Sequence, residues 1–243
     1  MRAGGAKLAW VLKQLAQAVE PGINELELEA TARRLIKESD ARPAFLGYKP
    51  AGAKRPFPAA LCLSVNNEVV HGIPSDRKLE AGDIITLDLG LEFEGFFTDM
   101  AVTVPVGRVS EEAKRLLAIT EESLALGIKA ARPGGTIGDI GAAVGSFATG
   151  RGYGVVRALG GHGVGYRVHE EPEVPNYGRQ NSGLKLQPGL VIAIEPILTA
   201  GQGAEVKIGP DGYTVLTRDG SLAAHFEHTI AITEKGPEIL TKL

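Results

Sequence analysis

The string "KLQPGLVIAIEP", residues 185–196, holds an apolar run, Leu190–Ile194, that reads as a buried strand. The run ends on Glu195, where burying an ionisable group is costly, and Pro196 closes it. Nearly the same string, "KLEAGDIITLD", occupies residues 78–88 and ends on Asp88. From Lys78 to Lys185 the offset is 107 residues. A duplicated unit should repeat other features at a similar spacing. Pro21-Gly22 precedes Asn24, and Pro133-Gly134 precedes Thr136, an offset of 112. Asn24 and Thr136 are good helix N-caps, and each has an acid three residues on, Glu27 and Asp139, as a capping box requires.

Apolar residues at helical spacing flank both Pro-Gly turns. Leu8, Leu12, Leu15 and Val19 precede the first turn, and Leu28, Ala32 and Leu35 follow it. Leu117, Leu124 and Ile128 precede the second; Ile140, Val144 and Phe147 follow it. Each half, about 1–107 and about 108–243, reads as helix, turn, helix, then strands. This predicts an α+β single domain in which Asp88 and Glu195 lie at equivalent strand ends and meet near a shared two-fold axis. "GYKPAGAKRPFP" (47–58) and "GRQNSG" (178–183) are loops too short to separate domains.

The chain has 243 residues, enough for a sizeable core. Its 26 basic and 29 acidic residues give a net charge of −3, so no basic excess points to nucleic acid or an anionic membrane. Cys62 is the only cysteine, which rules out an intrachain disulfide and suits a reducing cytosol. The N-terminal apolar stretch is broken by Lys13 and Gln14, unlike a signal peptide, and no apolar run is long enough to span a bilayer. Cytoplasmic residence is expected.

In "EGFFTDMAVTVPVG" alternation places Asp99 on one face with Phe97, Ala101 and Thr103, inside an apolar strand. In "HFEHTIAIT", Glu227 shares a face with Thr229 and Ala231. With Asp88 and Glu195, four carboxylates lie in or at the ends of apolar strands. Separate salt bridges would need cations, but no Lys or Arg lies within the apolar strand runs that carry the four acids. Four acids without resident cations point to bound metal. "LGGHGVGYRVHEEPEVPNYG" adds His162 and His169 among five glycines, and His71 stands in "NNEVVHGIP". His225 and His228, flanking Glu227, read as structural. One or two imidazoles with several carboxylates suit Mn, Fe(II), Co or Zn. Shared carboxylates permit two ions about 3.5–4 Å apart, and metal-assisted hydrolysis follows as the reaction class. "GGHGVG" lacks the Gly-Lys-Ser/Thr ending of a phosphate loop.

The order "HGIP", "DLG…GFFTDMAVT", "GHGVGYRVHEEPEVPNYG", "IAIEP", "FEHTIAIT" resembles the type I methionine aminopeptidases of the pita-bread metallopeptidase superfamily, over nearly the whole chain. The resemblance implies a pita-bread fold, with two pseudo-two-fold related halves and a central antiparallel sheet covered by helices. It implies two divalent metal ions and five ligands: Asp88 holding one ion with both oxygens, Asp99 and Glu227 bridging, and His162 and Glu195 completing the other. Glu195 would also be general base toward a bridging water. His169 would hydrogen-bond the scissile carbonyl and its oxyanion, and His71 would contact the substrate near the scissile amide. The methionine pocket would fall on Phe45, Tyr48, Phe57, Cys62, Val168 and Tyr213.

The implied reaction is removal of the initiator methionine from nascent polypeptides with a small second residue, by a cytoplasmic monomer, at the ribosome. "KPAGAKRPFP" adds residues between Tyr48 and Phe57, and Val168 and Tyr213 stand where larger side chains are common, so a roomier pocket is expected. The chain begins inside what resembles the family's first helix, without its short lead-in. An X-Pro aminopeptidase or prolidase on the same fold would keep all five ligands, but normally carries a large additional N-terminal domain. A pita-bread binding module that has lost catalysis would typically lack ligands that this sequence keeps.

Overall fold

The computed structural model describes every residue except Ala51, Gln202 and Leu243. Ala51 belongs to the added stretch between Tyr48 and Phe57, and to that extent the stretch lies outside the described residues. The first half comprises α1 (Arg2–Ala18), α2 (Glu25–Glu38), β1 (Arg42–Pro43), β2 (Cys62–Val65), β3 (Glu68–Val70), β4 (Ile84–Phe93) and β5 (Phe96–Pro105). The second half opens with α3 (Glu111–Ala130) and α4 (Ile137–Thr149). The strands β6 (Gly154–Val155), β7 (Gly160–Gly163), β8 (Glu170–Pro175), β9 (Val191–Ile194) and β10 (Ile197–Thr199) follow. The chain ends with β11 (Val206–Ile208), β12 (Val215–Thr217), β13 (Ala223–His225), β14 (His228–Thr233) and β15 (Gly236–Ile239).

Both halves are tied together locally in the same way. Asn24 bridges to Lys78, and Thr136 bridges to Lys185. Gly22 N–H donates to the Leu79 carbonyl at 2.7 Å, and Gly134 N–H to the Leu186 carbonyl at 2.8 Å. The duplicated strings are therefore the lines along which each Pro-Gly turn docks on the segment leading into the next strand, β4 or β9. The caps differ in detail. Thr136 and Asp139 form a reciprocal capping box. Asn24 instead accepts from Leu26 N–H while its amide donates to the Asp76 carbonyl, and Glu27 points to solvent. At that helix start the buried acid is Glu25, held by Ser75 and Arg77.

β4 pairs with β2 and with β5 along ten residues, and with β1 at its far end. A second ladder runs β15-β14-β9-β7-β8. The two meet where β5 lies against β14. Asp99 N–H donates to Thr229 Oγ1 at 2.9 Å, the Thr229 hydroxyl donates to the Asp99 carbonyl at 2.8 Å, and Glu227 N–H donates to the Ala101 carbonyl at 2.9 Å. The central antiparallel sheet is thus two ladders joined at one seam, and helices cover it. Leu8, Leu12 and Leu15 of α1 pack on Leu63, Leu87 and Leu89, each contributing about 1.5–3 kcal/mol from burial. On the other half, Leu124 and Ile140 pack on Ile192, Ile194 and Ile230. Among the described residues no helix is long and apolar enough to cross a membrane.

Two expected strand ends differ. β4 does not stop at Asp88: Cys62 on one side and Ala101 on the other pair with it, so the strand runs on to Phe93. After Ile194, by contrast, Pro196 supplies no N–H, the ladder breaks, and pairing resumes in β10. "HFEHTIAIT" breaks at the same level, with β13 paired to β10 and β14 paired to β9. Glu195 and Glu227 sit in this shared break.

Candidate metal centre

Each acid is placed by strand register. Asp88 lies opposite Ala101 and Asp99 opposite Gly90, so the two occupy diagonal positions on one face of the β4–β5 pair. They are 8% and 2% exposed. Glu195 and Glu227 reach the same space from the break, where the Asn176 amide holds the Glu195 carbonyl at 2.8 Å. His162 comes from β7, wedged between β8 and β9. Its flanking glycines permit that approach, since a Cβ on Gly161 would lie 2.2 Å from the Ala193 carbonyl oxygen and one on Gly163 2.1 Å from that of Glu171. Neither glycine is in the left-handed region, so close packing is what requires them.

Ligand atoms of Asp88, Asp99 and Glu227 fall within 4.8 Å of one another, as do those of His162, Glu195 and Glu227, and those of Asp99, His162 and His169. The His162 Nε2 is 3.7 Å from Glu195 Oε1 and 3.9 Å from Asp99 Oδ2. Its Nδ1 is 2.9 Å from the Gly163 carbonyl, which can only accept, so Nδ1 carries the proton. In the neutral ring the Nε2 lone pair therefore faces carboxylates. A cation between them resolves that repulsion.

The acids point the same way. Burial, then the neighbouring Asp99 and Glu195, pushes the Asp88 carboxyl well above its usual range. Burial raises Asp99 to about 6, against the opposing pull of His162. Glu227 is pushed well up by burial and then by Asp99, Glu195 and Asp88, and its buried Oε1 has no hydrogen-bond partner. Among the described residues the ion-pair contacts of these acids are with His162 and His225, never Lys or Arg. Burial also raises Glu195, but His225, His162 and His169 outweigh it and leave its carboxyl below the ordinary value. This donor set fits divalent metal: hard oxygens and one correctly presented imidazole nitrogen, otherwise mutually repelling.

A cavity of about 760 Å³ opens above the acids. Phe45, Tyr48, Phe57, Cys62 and Tyr213 line one side, and His71, His169 and His225 face the same space. Phe57 meets Tyr213 edge-on at 5.3 Å between ring centroids, and Tyr48 meets His169 at 5.1 Å. Val168 is buried in the cluster with Phe45, Phe57 and Cys62, behind the residues that face the cavity. Burial holds the Cys62 thiol well above its usual range, so it serves as apolar wall. His169 opens onto the cavity but is hemmed in by the cleft, and this desolvation, then His162, lowers its pKa to about 4. His71 adopts a left-handed backbone with φ of 58°, rare for a residue with a side chain. Its neighbour Gly72 packs against the backbone of β2, where a Cβ would lie 1.8 Å from the Leu63 carbonyl oxygen.

The structure thus gathers Asp88, Asp99, His162, His169, Glu195, Glu227 and His71 around one cavity. His228 lies apart, its ring against the Thr241 hydroxyl. His225 does not fit the structural reading given to it with His228. Its Nε2 lies 3.3 Å from Glu195 Oε2 and 3.8 Å from Glu227 Oε2. The signal was present, because the alternation that faces Glu227 toward the acids faces His225 the same way. Ile73 and Phe97, which pack on the aromatic cluster, were also not singled out by the sequence.

The profile of Metallopeptidase family M24 matches residues 1–234. The methionine aminopeptidase of Aquifex aeolicus is 48% identical over 241 residues, covering 97% of this chain and 92% of that protein. Methionine aminopeptidase 1 of Bacillus subtilis is 45% identical over 243 residues, covering 100% and 95%. The crystal structure of the methionine aminopeptidase from Thermotoga maritima superposes with a TM-score of 0.95 at 39% identity, covering 100% of this chain and 95% of that one. Prolidase from Pyrococcus furiosus, at 24% identity and a TM-score of 0.77, shares the fold, and this chain covers 63% of it.

Proposed function

Because the chain belongs to the methionine aminopeptidases of metallopeptidase family M24, we propose that it removes the initiator methionine from nascent polypeptides whose second residue is small, with Glu195 as general base toward a water held at two divalent ions. The chain is a metallo-exopeptidase, and its fold is the α+β pita-bread architecture. The observation that carries the two-ion reading is the convergence of ligand atoms in overlapping sets: Asp88, Asp99 and Glu227 share Glu227 with the set of His162, Glu195 and Glu227, and Asp99 and His162 meet again in a set with His169. Asp88 and Asp99 come from the first half and the other three from the second, so the whole chain acts as one catalytic domain.

When bound, the ions would supply Lewis-acid polarisation of the scissile carbonyl and a lowered pKa for water. Glu195 is the acid suited to move a proton. Its carboxyl is held below the ordinary value by His225, His162 and His169, while burial and like charge push Asp88 and Glu227 well up, so of these acids it is the one the histidines favour in the ionised, proton-accepting form. It takes the proton from water and returns it to the departing amine. His169, neutral at pH 7, has an N–H to offer the carbonyl oxygen as that oxygen gains charge. The aromatic wall of Phe45, Tyr48, Phe57 and Tyr213 accepts an unbranched apolar side chain. We place this work in the reducing cytoplasm, which a lone buried thiol suits, and propose that the chain acts as a monomer on N-termini emerging at the ribosome.

His169→Ala is expected to lower kcat by about 10²- to 10³-fold, the usual loss for an oxyanion donor, with metal content unchanged. Elemental analysis beside steady-state kinetics checks this, and intact turnover would remove His169 from its assigned role. The substrate class is tested by incubating the metal-loaded protein with Met-Ala-Ser and with Xaa-Pro peptides. Release of methionine from the first is expected, whereas cleavage of the Xaa-Pro peptides alone would make the chain an X-Pro peptidase.

A further inference from the structure

Resting on that reading of the centre, we propose that His225 is a positioning residue for Glu195, donating from Nε2 to the carboxylate oxygen that faces away from His162. The two oxygens of Glu195 look at two different imidazoles. Oε1 is 3.7 Å from His162 Nε2, and Oε2 is 3.3 Å from His225 Nε2. The terminal torsion of a glutamate is broad, so nothing intrinsic to the side chain fixes which oxygen serves the water and which is held back. A donor on one oxygen settles that choice. Glu227 Oε2, at 3.8 Å from the same nitrogen, is too far to accept from it.

His225 is built to stay in place. It is 2% exposed. Its backbone N–H donates to Thr103 Oγ1 at 2.9 Å, and the Thr103 hydroxyl returns a bond to the His225 carbonyl at 2.8 Å. That uses the only proton of Thr103, so the Thr86 hydroxyl, 2.9 Å away, donates into the clamp. Register with Ile197 on β10 sets His225 beside the break that carries Glu195. Neither ring nitrogen has an aligned hydrogen bond, although both are buried. A buried imidazole requires a partner, and Glu195 Oε2 is the nearer of the two carboxylate oxygens beside it. A separation of 3.3 Å with imperfect alignment is what such a contact shows before the substrate complex tightens it.

Groups that orient a ligand are worth about 10- to 100-fold in metal affinity or activity. The test is Mn(II) calorimetry and steady-state kinetics on wild type, His225→Leu and His225→Gln. The glutamine amide keeps an N–H near the position of Nε2, and leucine removes it. His225→Leu is expected to weaken one Mn(II) binding step and lower kcat, each by about 10- to 100-fold, with KM little changed. His225→Gln should recover both to within about threefold of wild type. Where leucine lowers the melting temperature, His225→Met takes its place, so that packing loss and donor loss are read separately. The proposal is overturned if the apolar variant keeps Mn(II) affinity and kcat within about twofold of wild type, or if glutamine is as impaired as the apolar variant. Wild type that binds no Mn(II) would instead overturn the metal centre itself.

Discussion

Glu195→Ala is expected to lower kcat by at least about 10³-fold, the largest effect of any single substitution in the chain. General-base catalysis alone contributes about 10²- to 10⁴-fold. Glu195 also stands among the groups whose ligand atoms converge in the cavity, so on the proposed roles alanine removes base and ligand together. Glu195→Gln separates the two roles, because the amide keeps a ligating oxygen but cannot take a proton. Metal content of the glutamine variant should therefore stay close to wild type while kcat falls nearly as far as for alanine. Metal analysis and kcat on both variants check this. A glutamine variant turning over within about tenfold of wild type would mean that another group moves the proton.

The second large effect is on stability. In the metal-free protein Asp99 holds its proton up to about 6, and Asp88 and Glu227 are pushed well above their ordinary range. Unfolded, these acids ionise near 4. As pH rises from about 4 the unfolded chain sheds protons that the folded chain keeps, through about 6 for Asp99 and beyond it for Asp88 and Glu227, so the metal-free protein loses stability across that window. A divalent ion that binds only the folded state reverses the loss. At a concentration a thousandfold above Kd it contributes about 4 kcal/mol, roughly 10 °C in Tm for a chain of this size. Thermal melts at pH 7 should show that gap between chelated and Mn(II)-loaded protein. The gap should narrow toward pH 5, where protons compete for the same oxygens. Equal melting temperatures at pH 7 would mean that the buried acids are stabilised by something other than a bound cation.

The duplicated strings were legible because they do structural work that leaves a pattern. Each carries the segment onto which a Pro-Gly turn docks, and the Asn24–Lys78 and Thr136–Lys185 bridges mark the two equivalent places. The four acids were legible for a related reason: a carboxylate inside an apolar strand has no local rationale. Where the reading went astray, tertiary pairing decided the outcome. Asp88 looked like a strand end because its string stops resembling the other one there, yet partners on both sides carry β4 to Phe93. "HFEHTIAIT" looked continuous because apolar alternation survives a change of partner, and only the ladder reveals the break beside Glu227. His225 was passed over with His228 because two histidines flanking an acid look alike in sequence. Their opposite faces send one to Glu195 and the other to Thr241.

If Asp88, Asp99, His162, Glu195 and Glu227 form a metal centre that hydrolyses the bond after an N-terminal methionine, activity must follow metal loading. The most direct test is a Mn(II) titration of chelated protein, with methionine release from Met-Ala-Ser measured at each ratio of ion to chain. No turnover is expected without metal, and activity should climb with added ion and level off by two equivalents. Turnover that persists in fully chelated protein, or protein that stays inactive at every ratio with Mn, Co, Fe(II) and Zn alike, would contradict this reading of the centre.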